Sequence, residues 1–223
     1  MYHRINHPDQ KSSLTVSPES FKKQIDFLQK KNFRFLSLDE VVSQKAKAPF
    51  LARRVTVSFD DGFLDNYEKA FSILLERKLK AALFVVVNWV GQEGFMDWNQ
   101  IRELSKNGID IGSHTLTHRW LPDIYDPKEL ERELVDSKRR IEDQIGKEVP
   151  WFSYPVGGMD EKVVEAVKRA GYQAAWVAGA RSTNPVRETL LCLRRIKVTP
   201  SDSSLIRFAI KAYGIKSLFS HPF

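Results

Sequence analysis

The run Val55-Thr56-Val57-Ser58-Phe59 ends in two adjacent carboxylates and a glycine, Asp60-Asp61-Gly62. A second apolar run over residues 109–113 ends in His114-Thr115-Leu116-Thr117-His118. One carboxylate with two imidazoles gives three protein ligands and leaves a coordination position open, the pattern of catalytic rather than structural zinc. The other carboxylate, Asp60 or Asp61, is then spare to act as a base. Each piece alone is ordinary, since Asp-Asp-Gly also makes a plain turn after a strand. His-x-x-x-His on a helix would suit a zincin, but that motif needs Glu directly after the first His. Here the position is Thr115, and Thr-Leu-Thr is a poor helical turn. Two of only five histidines following one strand, matched to an acidic strand end, point to a metal-dependent hydrolase.

Further stretches make the pattern specific. Ser58-Phe59-Asp60-Asp61-Gly62, Ser113-His114-Thr115-Leu116-Thr117-His118 and Phe152-Ser153-Tyr154-Pro155-Val156-Gly157 occur in that order. Trp98-Asn99-Gln100-Ile101-Arg102-Glu103-Leu104 and Gly108-Ile109-Asp110-Ile111-Gly112 lie between them. Together they resemble the polysaccharide deacetylases of the NodB-homology type, carbohydrate esterase family 4. The opening Met1-Tyr2-His3-Arg4-Ile5, with Phe21-Lys22-Lys23-Gln24, resembles the permuted branch that includes the poly-N-acetylglucosamine deacetylases. In that branch a histidine that most members carry near the C-terminus stands near the N-terminus. The resemblance runs from Tyr2 to about Val198, and one domain over residues 1–223 is expected.

The resemblance implies roles residue by residue. Asp61, His114 and His118 would hold a divalent metal, zinc first among the candidates, and Asp60 would be the general base. The backbone N–H of Val156 would serve the oxyanion and His3 would protonate the leaving amine. Tyr154, Pro155, Leu193 and Arg195 would line the substrate side, Leu193 at the acetyl methyl group. The sequence also departs from the family. The arginine that usually stands two residues before the third-motif proline is Ser153 here, and its Asp-x-x-Asp-Trp partner is not evident near Trp176. Losing both members of an ion pair strands no charge. Arg195 is the residue that would steer Asp60 instead. Asn88, Trp89 and Trp120 follow strand ends and suit either sugar contact or packing.

These residues need a scaffold that gathers strand ends. Strand-like segments at 2–5, 55–59, 81–87, 109–113, 151–154, 173–177 and 191–198 alternate with amphipathic helices, as in a parallel sheet wrapped by helices. Ser17-Pro18-Glu19 gives one helix an N-cap with proline at its first position. Ser37-Leu38-Asp39-Glu40 is a capping box, and Asp126-Pro127-Lys128-Glu129 is its acidic version. Residues 67–79, 98–106 and 161–169 carry three more amphipathic patterns. Seven strands suit an α/β fold of irregular (β/α)7 barrel form, which is also what the resemblance implies. Barrel enzymes keep their catalytic residues at the C-terminal strand ends. Residues 45–49 read as a short loop.

Composition sets outer bounds. At 223 residues, 42% hydrophobic and 28% charged, the chain is long enough for one well-buried domain. A net charge of +7 suits an anionic partner such as a membrane surface. The basic residues are dispersed rather than striped, so no nucleic acid is expected. The single cysteine, Cys192, sits among leucines and reads as a buried thiol. No stretch approaches the roughly 20 apolar residues that span a bilayer. With no leader pattern at Met1 the expectation is a cytoplasmic protein, or an extracytoplasmic one if the sequence is a trimmed piece. The expected activity is removal of N-acetyl groups from an N-acetylhexosamine glycan or glycoconjugate. The alternatives are deformylation or deacetylation of a lipid-linked sugar, and a non-catalytic glycan-binding module.

Overall fold

The computed structural model describes residues 1–6, 12–44, 53–178 and 189–213. The expected loop at 45–49 lies outside the described residues. Two short parallel pairs form first in the chain: β1 (Arg4–Ile5) with β2 (Thr15–Val16), and β3 (Arg34–Phe35) with β4 (Arg54–Val55). The main sheet follows, all parallel, from β5 (Val57–Phe59), β6 (Ala81–Val85), β7 (Asp110–Ser113), β8 (Trp151–Ser153), β9 (Ala174–Ala178) and β10 (Leu193–Arg195). Its order is β10-β9-β8-β7-β6-β5, so each strand lies beside its neighbour in sequence.

The sheet curls into a barrel, and the N-terminal residues close its seam. Tyr2 N–H donates to Ser58 O at 2.8 Å and Asp60 N–H to Tyr2 O at 3.1 Å on the β5 side. On the β10 side Met1 N donates to Ile196 O at 2.9 Å, and Val198 N–H to Met1 O at 2.9 Å. Six strands plus this segment make the seven staves of an irregular (β/α)7 barrel. The expected first strand at 2–5 is therefore split: Tyr2 bridges Phe59, and Arg4–Ile5 turn away to pair with β2. The expected strand at 55–59 divides likewise. Val55 pairs with Phe35, Thr56 hydrogen-bonds Leu36 O at 3.0 Å, and only Val57–Phe59 join the main sheet. The run at 191–198 loses its start to a turn that the Thr189 side chain caps at Leu191 N–H.

Alternation along the strands decides what faces the barrel axis. Ala82, Phe84, Trp151, Ala174 and Trp176 form one buried cluster with Leu38 from α2 (Leu38–Gln44). Gly112 belongs to this crowded interior, because a Cβ there would sit 2.5 Å from Phe84 Cδ1. The opposite sheet face packs on helices. α1 (Pro18–Lys30) starts as expected, with Ser17 Oγ accepting from Ser20 N–H, and buries Phe21, Ile25 and Leu28. Residues 66–79 give a π turn over Asn66–Phe71 before α3 (Ser72–Glu76) rather than one regular helix. α4 (Trp98–Lys106) matches its pattern and carries a capping box on Asp97. Asp126 caps α5 (Pro127–Glu131) through Lys128 N–H, but Glu129 turns to Arg119 instead of closing the box. A π turn over Arg132–Asp136 joins it to α6 (Ser137–Ile145). α7 (Glu161–Arg169) and α8 (Leu205–Ala212) complete the layer. Among the described residues, no helix is long and apolar enough to cross a membrane.

Tyr2 is the wedge of the seam. Its ring lies 5.2 Å from Phe21 and 5.6 Å from Phe59, and its hydroxyl donates to Gln24 Oε1 at 2.9 Å. Removing a fully buried aromatic costs about 3–5 kcal/mol through lost burial and the cavity left behind. Tyr2→Ala is expected to lose that much in urea unfolding. A loss below about 1 kcal/mol would show the N-terminal stave to be dispensable.

Candidate functional site

The site is built on strand ends. Asp60 and Asp61 directly follow β5, where Asp61 and Gly62 take left-handed φ values of 77° and 89°. That reversal separates the two carboxylates. Asp60 turns to the far edge of the sheet, where Arg195 of β10 grips it with two prongs. Nη1 lies 2.7 Å from Oδ1 and Nη2 2.6 Å from Oδ2. The same guanidinium donates to Ser153 Oγ at 2.6 Å and rests 5.0 Å from the Phe84 ring centroid. Ser153 Oγ also reaches Asp60 Oδ2 at 3.3 Å. The residue standing in place of the family's arginine thus helps the arginine that came from elsewhere.

Asp61 faces the two imidazoles. His114 continues from β7, and its N–H donates to Val85 O at 2.8 Å. Its Nδ1 lies 2.7 Å from Ser153 O, which fixes the proton on Nδ1 and leaves Nε2 as a lone-pair donor. Asp61 Oδ1 is 3.5 Å from His114 Nε2 and 3.4 Å from His118 Nε2. It is buried without a hydrogen-bond partner among the described residues. Donors each about 2.1 Å from a tetrahedral ion lie about 3.4 Å apart, so both Asp61–imidazole separations suit a zinc-like cation, and all three donors lie within 4.8 Å of one another. Trp89 covers the His118 ring at 5.0 Å and 32°.

The electrostatics agree with that fit. Burial pushes the Asp60 carboxyl upward, but the Arg195 guanidinium beside it outweighs that and holds Asp60 ionised, well below the usual carboxylate range. Burial and the Asp60 charge push Asp61 up to about 7, and the more distant charges of Arg195 and Lys197 offset them only in part. Burial lowers His114 to about 3, against the opposing pull of Asp60, and lowers His118 as well. Two neutral imidazoles beside an unneutralised carboxylate make a cavity that wants a positive ion.

The other expected residues divide. His3 follows Tyr2 past Asp60; burial lowers it to about 4 while Asp60 acts to raise it. Its Nδ1 is buried and unpartnered among the described residues. Val156 is 58% exposed at the end of β8 with φ 54°, which a β-branched residue rarely adopts. Pro155 is buried beside it. Tyr154, expected on the substrate side, is fully buried: its ring packs edge-on against Phe152 and its hydroxyl donates to Leu191 O at 2.9 Å. A strand-end tyrosine reads the same whether it points up or into the helices. Leu193 packs against the interior cluster of Phe84, Trp151 and Trp176, two residues before Arg195. Asn88 meets Arg140 at 3.3 Å, and Trp120 lies against Gly158. Cys192 is buried as expected. Ser58 Oγ, which opens the first motif, accepts from Arg195 Nη1 at 3.3 Å, a contact that its place as a strand serine gives no sign of.

A family model described as polysaccharide deacetylase matches residues 47–175. The chain is 28% identical over 184 residues to a poly-β-1,6-N-acetyl-D-glucosamine N-deacetylase of Staphylococcus epidermidis, covering 77% of this chain and 64% of that protein. The solved structure of the Streptococcus pyogenes deacetylase PplD, in complex with acetate, superposes with a TM-score of 0.81 at 25% identity. It covers 93% of this chain and 95% of that one. IcaB from Ammonifex degensii superposes with a TM-score of 0.80 at 25% identity, over 95% and 94% of the two chains.

The buried imidazoles give the metal-free protein a defined response to acid. The folded pKa values of His3, His114 and His118 lie below the ordinary 6.5, so between about 4 and 6.5 the unfolded chain binds more protons at all three. Asp61 opposes this, because its folded value lies above its ordinary one and the folded state holds its proton in that range. Asp110, raised as well, adds to Asp61, and the Met1 amino group, lowered to about 5, adds to the histidines; the lowered groups outweigh the two carboxyls, so stability rises with pH across the window. Thermal melts of chelator-treated protein should move upward from pH 5 to pH 6.5. A flat or falling melting temperature would contradict the assigned protonation states.

Proposed function

Because the chain belongs to the polysaccharide deacetylase family, we propose that it is a divalent-metal-dependent hydrolase that removes N-acetyl groups from an N-acetylhexosamine glycan. The observation that carries this reading is the pairing of two unlike carboxylates. Asp60 is neutralised by Arg195, and Asp61 is left beside two neutral imidazoles with a buried oxygen that nothing among the described residues satisfies. A structural site or a binding module needs no such separation of roles. The name of the staphylococcal relative and the acetate held by the streptococcal structure support the same chemistry.

Asp61, His114 and His118 would hold the metal. Bound there, a zinc ion would polarise the acetyl carbonyl and acidify water. Asp60 takes the proton of the attacking water. Its ion pair with Arg195 makes it a weak base but keeps it ionised and aimed, with Ser153 fixing one oxygen. The N–H of Val156 would serve the developing oxyanion, and the left-handed φ of 54° at this β-branched residue is the kind of strain that functional turns hold. Breaking the C–N bond requires a proton on nitrogen. His3 supplies it, and because burial leaves His3 neutral at rest, it must first take that proton up during the reaction. Asp60, whose charge acts on His3, is the donor in this scheme. Acetate and the free amine leave.

Acetate release from N-acetylglucosamine oligomers tests the proposal. Activity should vanish on chelation and return with zinc or cobalt. Asp60→Asn should keep its metal and lose about 10²–10⁴-fold in kcat, the usual worth of a general base. Retained turnover in this variant would move the base elsewhere. His3→Ala should also bind metal normally while losing about 10²-fold or more in kcat. Full activity in His3→Ala would remove the N-terminal histidine from the mechanism.

A further inference from the structure

The loop that carries His114 and His118 is held in an unfavourable shape by one buried acid outside the site. Thr115 and His118 both take left-handed backbone angles, φ 72° and 63°. Neither is a glycine, so something must hold them there. The N–H of Thr115 donates to Ser113 Oγ at 3.2 Å, and that of His118 to Thr115 Oγ1 at 2.9 Å. The two N–H groups between them, of Leu116 and Thr117, both donate to Glu133 Oε2 at 3.0 Å. Thr117 Oγ1 donates to Glu133 Oε1 at 2.6 Å.

Glu133 is 5% exposed and has no cationic partner among the described residues. The arginines near it in sequence are engaged elsewhere, Arg119 with Glu129 and Arg132 with Asp136. Its charge is met by the loop alone. Glu133 also sits in the π turn over Arg132–Asp136. Glu133 and Ser137, four residues apart, share the buried face of Leu130, Leu134 and Ile141, and Ser137 Oγ accepts from Ser113 Oγ at 2.8 Å. One helix therefore supports the loop at both ends.

We infer that Glu133 is a positioning residue for the metal site: its carboxylate clamps the 116–117 peptides so that His118 is presented to the ion beside Asp61 and His114. The inference rests on the metal-dependent reading proposed above. A fixed negative charge behind two ligand-bearing residues also favours a cation in front of them. Loss of such an outer partner typically weakens metal affinity about 10–100-fold.

The test is titration of metal-free protein with Co²⁺ and Zn²⁺ against a chromophoric chelator, together with the visible spectrum of the Co²⁺ form. Glu133→Gln should bind about 10–100-fold more weakly and show an altered Co²⁺ spectrum. Thr117→Val removes a single donor, preserves shape, and decides the matter if Glu133→Gln does not fold. It should shift affinity in the same direction by a smaller factor. Glu142→Ala is the control, since Glu142, on the same helix, accepts from Lys138 Nζ and Val149 N–H and has no hydrogen bond to the loop. It should lower the melting temperature and leave affinity unchanged. Wild-type affinity and spectrum in Glu133→Gln, or an equal loss in all three variants, would overturn the positioning role alone. A wild-type protein that binds neither ion would overturn the metal reading itself and this inference with it.

Discussion

The two-pronged pair between Arg195 and Asp60 is the interaction on which the rest of this structure depends. Its partners come from β10 and from the end of β5, the two edges of the sheet that must meet for the barrel to close. Both are almost fully buried, at 7% and 2% side-chain exposure. Removing one partner of such a pair strands the other and costs about 3–5 kcal/mol, whereas the pair itself contributes little net stability. Its value lies in registration. It fastens the seam at the height of the site, and below it the guanidinium rests on Phe84 of the apolar interior.

The pair also sets the charge of everything around it. With Arg195 bound to Asp60, the adjacent carboxylate has only a weaker pull from that arginine to set against burial and the repulsion of its neighbour. Two carboxylates of one dipeptide are thereby driven to opposite behaviour, one permanently ionised and one in need of a cation. Burial does the corresponding work on the histidines, keeping His114 and His118 as neutral donors. Paired titratable groups pushed apart by environment are the usual mark of divided catalytic roles.

Much of this was legible in the residues, for stated reasons. Asp60, Asp61, His114 and His118 could be placed because each follows an apolar run that had to be a strand, and parallel strands bring their C-terminal ends together. Arg195 could be named because Ser153 left a charge position vacant and a buried aspartate needs a counterion. The closure of the seam was half visible. Tyr2 and His3 announced an N-terminal stave, but two or three residues carry no periodicity, so the turn away at Arg4 did not show. The burial of Tyr154 did not show, because a tyrosine packed on the helix side leaves the same letter in the sequence as one exposed at the mouth. Glu133 was invisible for another reason. It falls on the same helix face as Leu130, Leu134 and Ile141, but beside Glu131 and Arg132 its letter reads as one more solvated charge, and only the Leu116 and Thr117 peptides that meet it show why it is buried.

The backbone strain has the same distribution as the chemistry. Among the described residues, six that are not glycine have positive φ, and four of them, Asp61, Thr115, His118 and Val156, lie on the loops of the site. The other two, Asn32 and Lys78, simply end helices. Conformations of this kind cost about 1–3 kcal/mol each and persist only where the surroundings overdetermine them. Each of the four follows a main-sheet strand end whose position the ladder fixes, at β5, β7 and β8. Gly157, next to Val156, admits only hydrogen in place of a side chain, because a Cβ would come within 2.6 Å of Ala178 O. The barrel thus does more than gather ligands. Its rigid strand ends supply the leverage that holds three loops in shapes they would not adopt alone, and those shapes are what set Asp60 apart from Asp61 and bring His118 back to His114.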